Sequence, residues 1–307
     1  MPFSHRLVII TARAILKIHT SLSRNSLMKF GVAIFFTDYS IKPTTLARAL
    51  EERGFDSLWC PEHSHIPISR MSEWPQQGEL PQKYYDVMDP FVTLSQAAAV
   101  TETLKLATGI CLVPQRDPIQ TAKEVATLDS LSDGRFLMGV GSGWNQDELG
   151  NHGTDFKTRH KVLQERVEAM RIIWSQEIAK YHGEFVDFNE IKTWPKPVQQ
   201  PGPPIYVGGE FPYGARRTLE FGNGWLPHAK RPKYDLIDIL PQFRQMEAEY
   251  DRDPGSTPIS VFGPDPDADL IRRYSEANVE RLIFNLAPHD EGTSLTILDD
   301  WAKLILE

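Results

Sequence analysis

The stretch KLATGICLVPQRDPIQTAKEVATLDSLSDGRFLMGVGSGWN, residues 105–145, contains a complete strand–helix–strand unit. Two apolar runs, Lys105–Val113 and Arg135–Gly141, flank a segment of helical periodicity, Ile119–Leu131. Pro118 stands at the first position of that segment, where proline is favoured in a helix. Strands joined by a helix lie parallel in one sheet, so this unit predicts an α/β fold.

The same alternation continues from Met28 to the end of the chain. The other apolar runs are Lys29–Phe36, Ser57–Pro61, Pro204–Gly208, Gly224–Pro227, Pro258–Gly263 and Arg281–Leu286. The other helical patterns are Thr45–Arg53, Pro90–Thr101, His160–Trp174, Tyr213–Phe221, Tyr234–Tyr250, Ala268–Glu276 and Ser294–Leu306. Eight such units predict a closed (β/α)8 TIM barrel with insertions, and an open doubly wound sheet is the competing architecture.

Two segments interrupt the alternation. Ser64–Asp89 has neither strand nor helix periodicity, so it is either a functional lid or a misread element. It follows strand two, on the side where barrel enzymes place their active sites. The second segment, Gln176–Pro203, begins with a predicted hairpin over Tyr181–Phe188 and continues as a proline-rich connection.

Composition excludes several classes of protein. The 307 residues are 41% hydrophobic and 24% charged, with a net charge of −8. That acidic balance argues against nucleic-acid and anionic-membrane partners, and no apolar run approaches the ~20 residues of a membrane span. The two cysteines, Cys60 and Cys111, indicate no disulfide framework, so we expect a cytoplasmic protein.

Residues 1–27 differ from the rest because they contain four cations and no carboxylate. We interpret them as an extension outside the fold and expect one barrel domain over residues 28–307. An organelle transit peptide is the alternative, because such peptides are basic and amphipathic.

Three polar side chains follow strand two: Glu62, His63 and His65. A histidine at a strand end can face a ligand at the barrel mouth or only satisfy loop carbonyls. The His-x-His pair also suits zinc, but among later strand ends His228 is the matching histidine and the remaining ligands are missing. We therefore expect no metal.

Glycines follow three other strands. Gly109 comes after Thr108 in strand three, and Gly141-Ser142-Gly143-Trp144-Asn145 ends strand four. The spacing is G-x-G-x-G, and the next predicted helix begins about fifteen residues later, so a dinucleotide-binding turn is not indicated. Gly208-Gly209 precedes the helix from Tyr213, an arrangement that suits a phosphate, although a turn without ligand has the same pattern.

Several separated stretches resemble one family in order: LWCPEHSHIP, DPFVTLSQAAAV through GVGSGWN, YHGEFVDF, WPKPVQQPGPPIYVGG and FGNGWLP. Together they resemble the luciferase-like monooxygenase superfamily, and within it the coenzyme F420-dependent branch of mycobacterial and actinobacterial type. The resemblance implies a (β/α)8 barrel, a cofactor ring at the C-terminal mouth and a homodimer.

The resemblance also implies site residues. His63 and Glu62 would lie beside the cofactor ring, and Gly109-Ile110 would form a non-proline cis peptide under it. Thr108, Gly141, Ser142, Gly143 and Asn145 would line the cofactor, and Gly208-Gly209 would hold its phosphate. Some deazaflavin dehydrogenases carry an acidic proton donor where this chain has Trp144, so that donor cannot be transferred.

The resulting prediction is an oxidoreductase that uses F420 for hydride transfer on a small organic substrate. His63 would transfer a proton and Glu62 would orient it, while Trp144, His65 and the Ser64–Asp89 loop would form the substrate wall. The basic segment His228–Lys233 would meet the polyanionic tail of F420. One alternative is an FMN-dependent two-component monooxygenase that receives reduced flavin from a separate reductase, and another is a non-catalytic flavin-binding paralogue. The partners expected for these functions are a small-molecule substrate and a separate flavin or F420 reductase.

Overall fold

The computed structural model describes residues 28–231 and 233–306, so the predicted extension over residues 1–27 lies outside the described residues. The strands of this part are, in chain order, β1 (Lys29–Ile34), β2 (Ser57–Cys60), β3 (Lys105–Cys111), β4 (Phe136–Val140), β5 (Ala179–His182), β6 (Asp187–Ile191), β7 (Ile205–Gly208), β8 (Gly224–Leu226), β9 (Ser260–Phe262) and β10 (Arg281–Leu286).

Eight of these strands form one parallel sheet that closes into a barrel. Its strand order is β8-β7-β4-β3-β2-β1-β10-β9, and every pairing in it is parallel. The two end strands meet through parallel bridges, Trp225 with Ile259 and His228 with Phe262. The predicted closed barrel is therefore confirmed, and the open sheet is not observed.

Helices cover the outside of the barrel. They are α1 (Pro43–Glu52), α2 (Lys83–Asp86), α3 (Pro90–Ala98), α4 (Pro118–Leu131), α5 (Gln146–Asn151), α6 (Arg159–Ser175), α7 (Tyr213–Phe221), α8 (Leu236–Glu249), α9 (Ala268–Glu276) and α10 (Glu291–Leu306), with a 3-10 turn at Val113–Gln115. Across residues 28–231 and 233–306, none of these helices is long and apolar enough to cross a membrane.

Aspartates before prolines explain where two of the helices begin. The Asp89 carboxylate accepts a hydrogen bond from the Val92 N–H at 3.0 Å, and that of Asp117 accepts one from the Gln120 N–H at 2.8 Å. Each aspartate precedes a proline that occupies the first helical position, where its missing N–H costs nothing.

The barrel interior is filled by one side chain from each strand. Seven are buried: Ala33, Trp59, Ala107, Leu137, Tyr206, Leu226 and Ile283, and Phe262 of β9 packs against them. A larger apolar cluster lies between the strands and the helices. The interior is thus a packed core, and space for a ligand is confined to the ends of the strands.

The structure confirms the hairpin and corrects one helix. β5 and β6 pair antiparallel with Tyr181 opposite Phe188, as the sequence predicts. The first helix after strand four begins at Gln146, directly after the glycine-rich segment, and not about fifteen residues later. It forms because the Asn145 side-chain oxygen caps it, accepting a hydrogen bond from the Glu148 N–H at 3.4 Å.

Candidate active site

The C-terminal ends of the parallel strands meet at one mouth of the barrel. The segments after β2, β3, β4 and β7 carry most of the residues that the sequence predicts as functional. Parallel strands place all such segments on the same side, which is where barrel enzymes hold their ligands. The site is described below from these segments upward.

His63 pairs with a carboxylate that the sequence analysis missed. Its Nδ1 lies 2.8 Å from Oε2 of Glu148, and the two side chains are only 7% and 1% exposed. Glu148 belongs to α5, the short helix that was not predicted. His63 and Glu148 are therefore a buried, hydrogen-bonded pair at the mouth.

Aromatic rings surround the His63 imidazole. The ring centroid of Tyr84 lies 5.4 Å from that of His63, and the Trp144 centroid lies 5.8 Å from it in an edge-to-face arrangement. Trp74 and Phe35 extend this aromatic wall beyond Tyr84, at 5.8 and 4.7 Å. Burial raises the pKa of Tyr84, so its phenol stays neutral at physiological pH. The surroundings favour a flat or apolar ligand beside an imidazole.

Glu62 does not contact His63, which corrects the prediction that it orients this histidine. Its Oε2 accepts a hydrogen bond from the Leu112 N–H at 2.7 Å, and its Oε1 accepts one from Nε of Arg116 at 2.6 Å. Arg116 also pairs with Asp89 and Glu124, each at 2.8 Å. Glu62 therefore joins β2 to the segment after β3 and has a structural role.

We expect Glu62→Gln to destabilise the fold by about 3 kcal/mol, because a buried charge pair loses one partner. Chemical denaturation measures the free energy of unfolding. Glu124→Gln is the matched control, since it removes a carboxylate from the same arginine at a site that is 30% exposed, and it should cost less than about 1 kcal/mol. Unchanged stability together with lost turnover would return Glu62 to a catalytic role.

The predicted glycines lie together beneath one side chain. Gly109-Ile110 is a cis peptide bond, as the resemblance implies. The partly exposed Ile110 side chain covers Gly141 and Gly208: a Cβ on Gly141 would lie 1.8 Å from Cδ1 of Ile110, and a Cβ on Gly208 3.3 Å from its Cγ2. The ends of β3, β4 and β7 thus form a continuous floor that admits no larger side chain at Gly141.

Other predicted cofactor contacts divide into two groups. Ser142 and Gly143 are partly exposed at the mouth, and Gly143 has a φ of 79°. Thr108 is fully buried and its hydroxyl donates to the Gly139 carbonyl at 2.8 Å, so this side chain belongs to the barrel wall. Asn145 is also buried and caps α5.

The loop Ser64–Asp89 folds onto α5. The Met71 N–H donates to the Asp147 carboxylate at 2.8 Å, and the Gln146 N–H donates to the Ser72 hydroxyl at 2.9 Å. Arg70 lies over the Trp144 ring, with its guanidinium carbon 5.6 Å from the ring centroid. The loop therefore packs against α5 and the Trp144 ring, and its role as a lid stays a prediction.

His65 lies at the outer edge of this loop. Its two ring nitrogens contact the Ser64 hydroxyl at 2.9 Å and the Asn151 amide at 2.8 Å. The hydroxyl also lies 2.7 Å from Nε2 of His152. His65 therefore borders the end of α5, away from the aromatic rings around His63.

A basic cluster adjoins Gly209 and was not predicted. Nη2 of Arg217, in α7, lies so close that a Cβ on Gly209 would be 2.9 Å from it. Burial, together with the charges of Arg217 and Arg159, lowers the pKa of His160 to about 4. Burial also lowers the pKa values of Arg159 and Arg217.

These three side chains have buried polar atoms without partners. They are Nε of Arg159, Nδ1 of His160 and Nε of Arg217. Within residues 28–231 and 233–306, no carboxylate lies within 4 Å of either arginine. Two partly buried arginines with unpartnered Nε atoms, beside a neutral imidazole, fit an anionic group, because charge and donors would be satisfied together.

The predicted basic rim after strand six is largely neutralised. Lys230 pairs with Asp265 at 2.7 Å, and Arg231 pairs with Glu210 at 3.2 Å. Burial lowers the pKa of His228 to about 3, so its ring is neutral. This segment therefore offers less charge to an anionic tail than the sequence suggests. The cluster of Arg159, His160 and Arg217 is the stronger anion-binding candidate.

Metal ligands do not converge in the part of the chain that the structure describes. No group there of three or more histidine, cysteine, aspartate or glutamate side chains could hold an ion. His63 and His65 form hydrogen bonds with different partners, so their His-x-His spacing does not bring them to one metal ion.

Comparison with known proteins identifies the family. The sequence profile of the luciferase-like monooxygenase family matches residues 28–267. The chain therefore belongs to this family, and it is an oxidoreductase.

Two sequence relatives and one solved structure are similar to the chain. An uncharacterized protein of Mycobacterium tuberculosis (strain ATCC 25618 / H37Rv) is 39% identical over 266 residues, which are 84% of this chain and 92% of the relative. The FMNH2-dependent dimethylsulfone monooxygenase of Pseudomonas putida is 37% identical over 122 residues, 38% of this chain and 33% of that protein. An F420-dependent secondary alcohol dehydrogenase, solved in complex with an F420-acetone adduct, superposes with a TM-score of 0.70 at 18% identity, covering 91% of this chain and 99% of that one.

Proposed function

We propose that this chain is a coenzyme F420-dependent oxidoreductase that transfers hydride between F420 and a small organic substrate. The observation that carries the proposal is the partly buried basic cluster of Arg159, His160 and Arg217 beside Gly209, next to the β7 end of the glycine floor. An anionic cofactor with a flat ring would satisfy both features at once.

The residues present fit such a cofactor. Gly208-Gly209, Arg217, Arg159 and His160 would hold its phosphate, and α7 begins four residues after Gly209. Ile110 and the glycines at Gly141 and Gly143 would lie against its ring. When bound, the cofactor would supply the hydride chemistry, while the protein orients the substrate and excludes water.

His63 would move the proton that accompanies hydride transfer. Among the described residues its Nδ1 has a hydrogen-bond partner, in Glu148, and no such partner contacts Nε2. Nε2 is therefore the atom that can accept a proton from a substrate hydroxyl or return it to a carbonyl oxygen. Imidazole suits both tasks because a ring nitrogen with a lone pair can accept a proton and then return it.

The lid and the aromatic rings would form the substrate wall. Tyr84 and Trp144 contact the His63 ring from two directions, and Arg70 covers Trp144 from the loop. A substrate bound here would lie between apolar ring faces and the imidazole, with little access for water. The substrate is thus expected to be a small alcohol or carbonyl compound with apolar substituents.

FMN is the competing cofactor, because one relative is named FMNH2-dependent and the phosphate cluster would serve FMN equally. The resemblance of the strand-end segments to the F420 branch and the F420-dependent structural neighbour support F420. In the FMN alternative, the chain would be the oxygenating component of a two-component monooxygenase.

A single-turnover experiment separates these functions. Protein loaded anaerobically with reduced F420, or with reduced FMN, is mixed with a panel of ketones or with oxygen, and cofactor absorbance is followed. We expect a ketone to oxidise reduced F420 stoichiometrically, without oxygen consumption. Oxygen-dependent product from reduced FMN alone would replace the proposal with the monooxygenase. Cofactor oxidation without any product would indicate the non-catalytic paralogue.

A further inference from the structure

We propose that Glu148 is a positioning residue that fixes the tautomer of His63, with the proton on Nδ1 and the lone pair on Nε2. The effect of this tautomer on turnover rests on the proposed function. The tautomer itself does not, because it is a property of the cofactor-free protein. Nothing in the sequence pattern or in the names of the relatives assigns a role to this residue.

The geometry of the pair fixes the position of the proton for the ionised form of Glu148. Oε2 of Glu148 lies 2.8 Å from Nδ1 of His63, and both side chains are buried. An ionised carboxylate only accepts hydrogen bonds, so Nδ1 must be the donor. In neutral imidazole the other nitrogen, Nε2, is then the acceptor.

Glu148 is an unusual carboxylate for a purely structural role. Its Oε1 is buried and has no hydrogen-bond partner among the described residues, as is also true of Nδ2 of Asn145 on the same turn. Burying an acceptor without a partner costs about 1–3 kcal/mol. A leucine would avoid that cost but would leave Nδ1 of His63 without its partner, so the service that Glu148 provides at this position is the hydrogen bond to the imidazole.

Other charged groups near the pair are already engaged or distant from the ring. Glu62 is bound by Arg116, and the rings facing His63 belong to Tyr84 and Trp144. Burial lowers the pKa of His152, and the nearby Glu148 opposes this lowering to a smaller extent. His152 itself contacts Ser64. Glu148 is therefore the carboxylate in direct contact with the imidazole.

The chemical consequence follows from the two nitrogens. In alcohol oxidation, a new N–H bond would form at Nε2 as the substrate O–H bond breaks, and the bound cofactor would supply the acceptor for the hydride that leaves the substrate carbon. The imidazolium produced keeps its Nδ1 proton against the Glu148 carboxylate, which stabilises the positive charge. Carbonyl reduction uses the same atoms in reverse.

The test is nitrogen-15 NMR of the full chain with labelled histidine, without cofactor, with His63 assigned from the signals lost in His63→Gln. We expect the wild-type signals of a neutral ring protonated at Nδ1. Glu148→Leu removes the acceptor and should shift the ring to the Nε2-protonated form. Asp187→Asn is the matched control, because His182 and Asp187 form another histidine–carboxylate pair, at 2.6 Å but exposed on the hairpin.

A wild-type ring protonated at Nε2 would overturn the proposal, and so would a tautomer unchanged in Glu148→Leu. The wild-type spectrum decides the question even if that variant does not fold. A turnover assay with F420 tests the effect of the tautomer on catalysis. Glu148→Gln should lower kcat about tenfold and change cofactor affinity by less than about twofold. Glu148→Asp should retain part of the kcat that Glu148→Gln loses. If His63→Gln leaves turnover intact, the proton role of His63 fails while the tautomer result stands.

Discussion

Replacing His63 with alanine is expected to lower turnover about a thousandfold while cofactor affinity changes less than about threefold. The imidazole lies at the barrel mouth between Tyr84 and Trp144, with Nε2 free of hydrogen bonds to the described residues. Loss of a general acid or base typically costs about 10²–10⁴ in rate. The measurement is kcat from cofactor absorbance, together with the cofactor Kd from fluorescence.

His182→Ala is the control for this substitution. His182 also hydrogen-bonds a carboxylate but is 56% exposed on the hairpin, so its removal should leave both quantities unchanged. Equal turnover in His63→Ala and wild type would remove His63 from the mechanism. A parallel loss of cofactor affinity would show that the imidazole binds the cofactor and does not transfer the proton.

The double substitution Arg159→Gln and Arg217→Gln is expected to weaken F420 binding about 10²–10³-fold. Each hydrogen bond to a charged group contributes about 1.5–3 kcal/mol, and tenfold in affinity corresponds to about 1.4 kcal/mol. The same variant should bind the phosphate-free deazaflavin ring compound with unchanged affinity, because the glycine floor is intact. Riboflavin, which lacks the phosphate, and FMN, which carries it, allow the same comparison for the flavin ring.

Arg216→Gln is the matched control, since Arg216 neighbours Arg217 on the same helix but is exposed. It should leave all four affinities unchanged. Equal weakening of phosphate-bearing and phosphate-free ligands in the double variant would show that the arginines support the fold of the site. No weakening of either would place the phosphate elsewhere.

The fold could be predicted from sequence because each unit carries its own signal. Every apolar run contains a barrel strand, and the turn at His182-Gly183 marks the hairpin. The glycines that were predicted to line a cofactor also lie at the mouth, where Gly141 leaves room for the Ile110 side chain. These are local requirements of backbone and packing, which one sequence displays directly.

The partners of the site residues could not be predicted in the same way. Glu148 reaches His63 across 85 positions, through a six-residue helix that has too few turns to show periodicity. Glu62 is adjacent to His63 in sequence, but successive side chains in extended backbone point to opposite sides, and Glu62 binds Arg116 instead. The basic cluster joins α6 to α7, so only the packing of the helices brings its members together.

The charge of the segment His228–Lys233 shows a further limit of sequence reasoning. Its cations suggested a rim for an anionic tail, but Asp265 and Glu210 lie against Lys230 and Arg231. A run of like charges in sequence carries no information about the counter-charges that the fold supplies. Among the described residues, the arginines near Gly209 that lack a carboxylate partner, Arg159 and Arg217, lie instead in two different helices.

Titration of the purified full-length chain with F420 and with FMN, each oxidised and reduced, tests the central claim most directly. Fluorescence gives the affinities and thermal denaturation gives the linked stabilisation, which grows with the ratio of ligand concentration to Kd. We predict that F420 binds more tightly than FMN and raises Tm, and that the Arg159 and Arg217 substitutions abolish the effect. A preference for FMN would contradict the F420 assignment, and binding of neither would contradict the cofactor site itself.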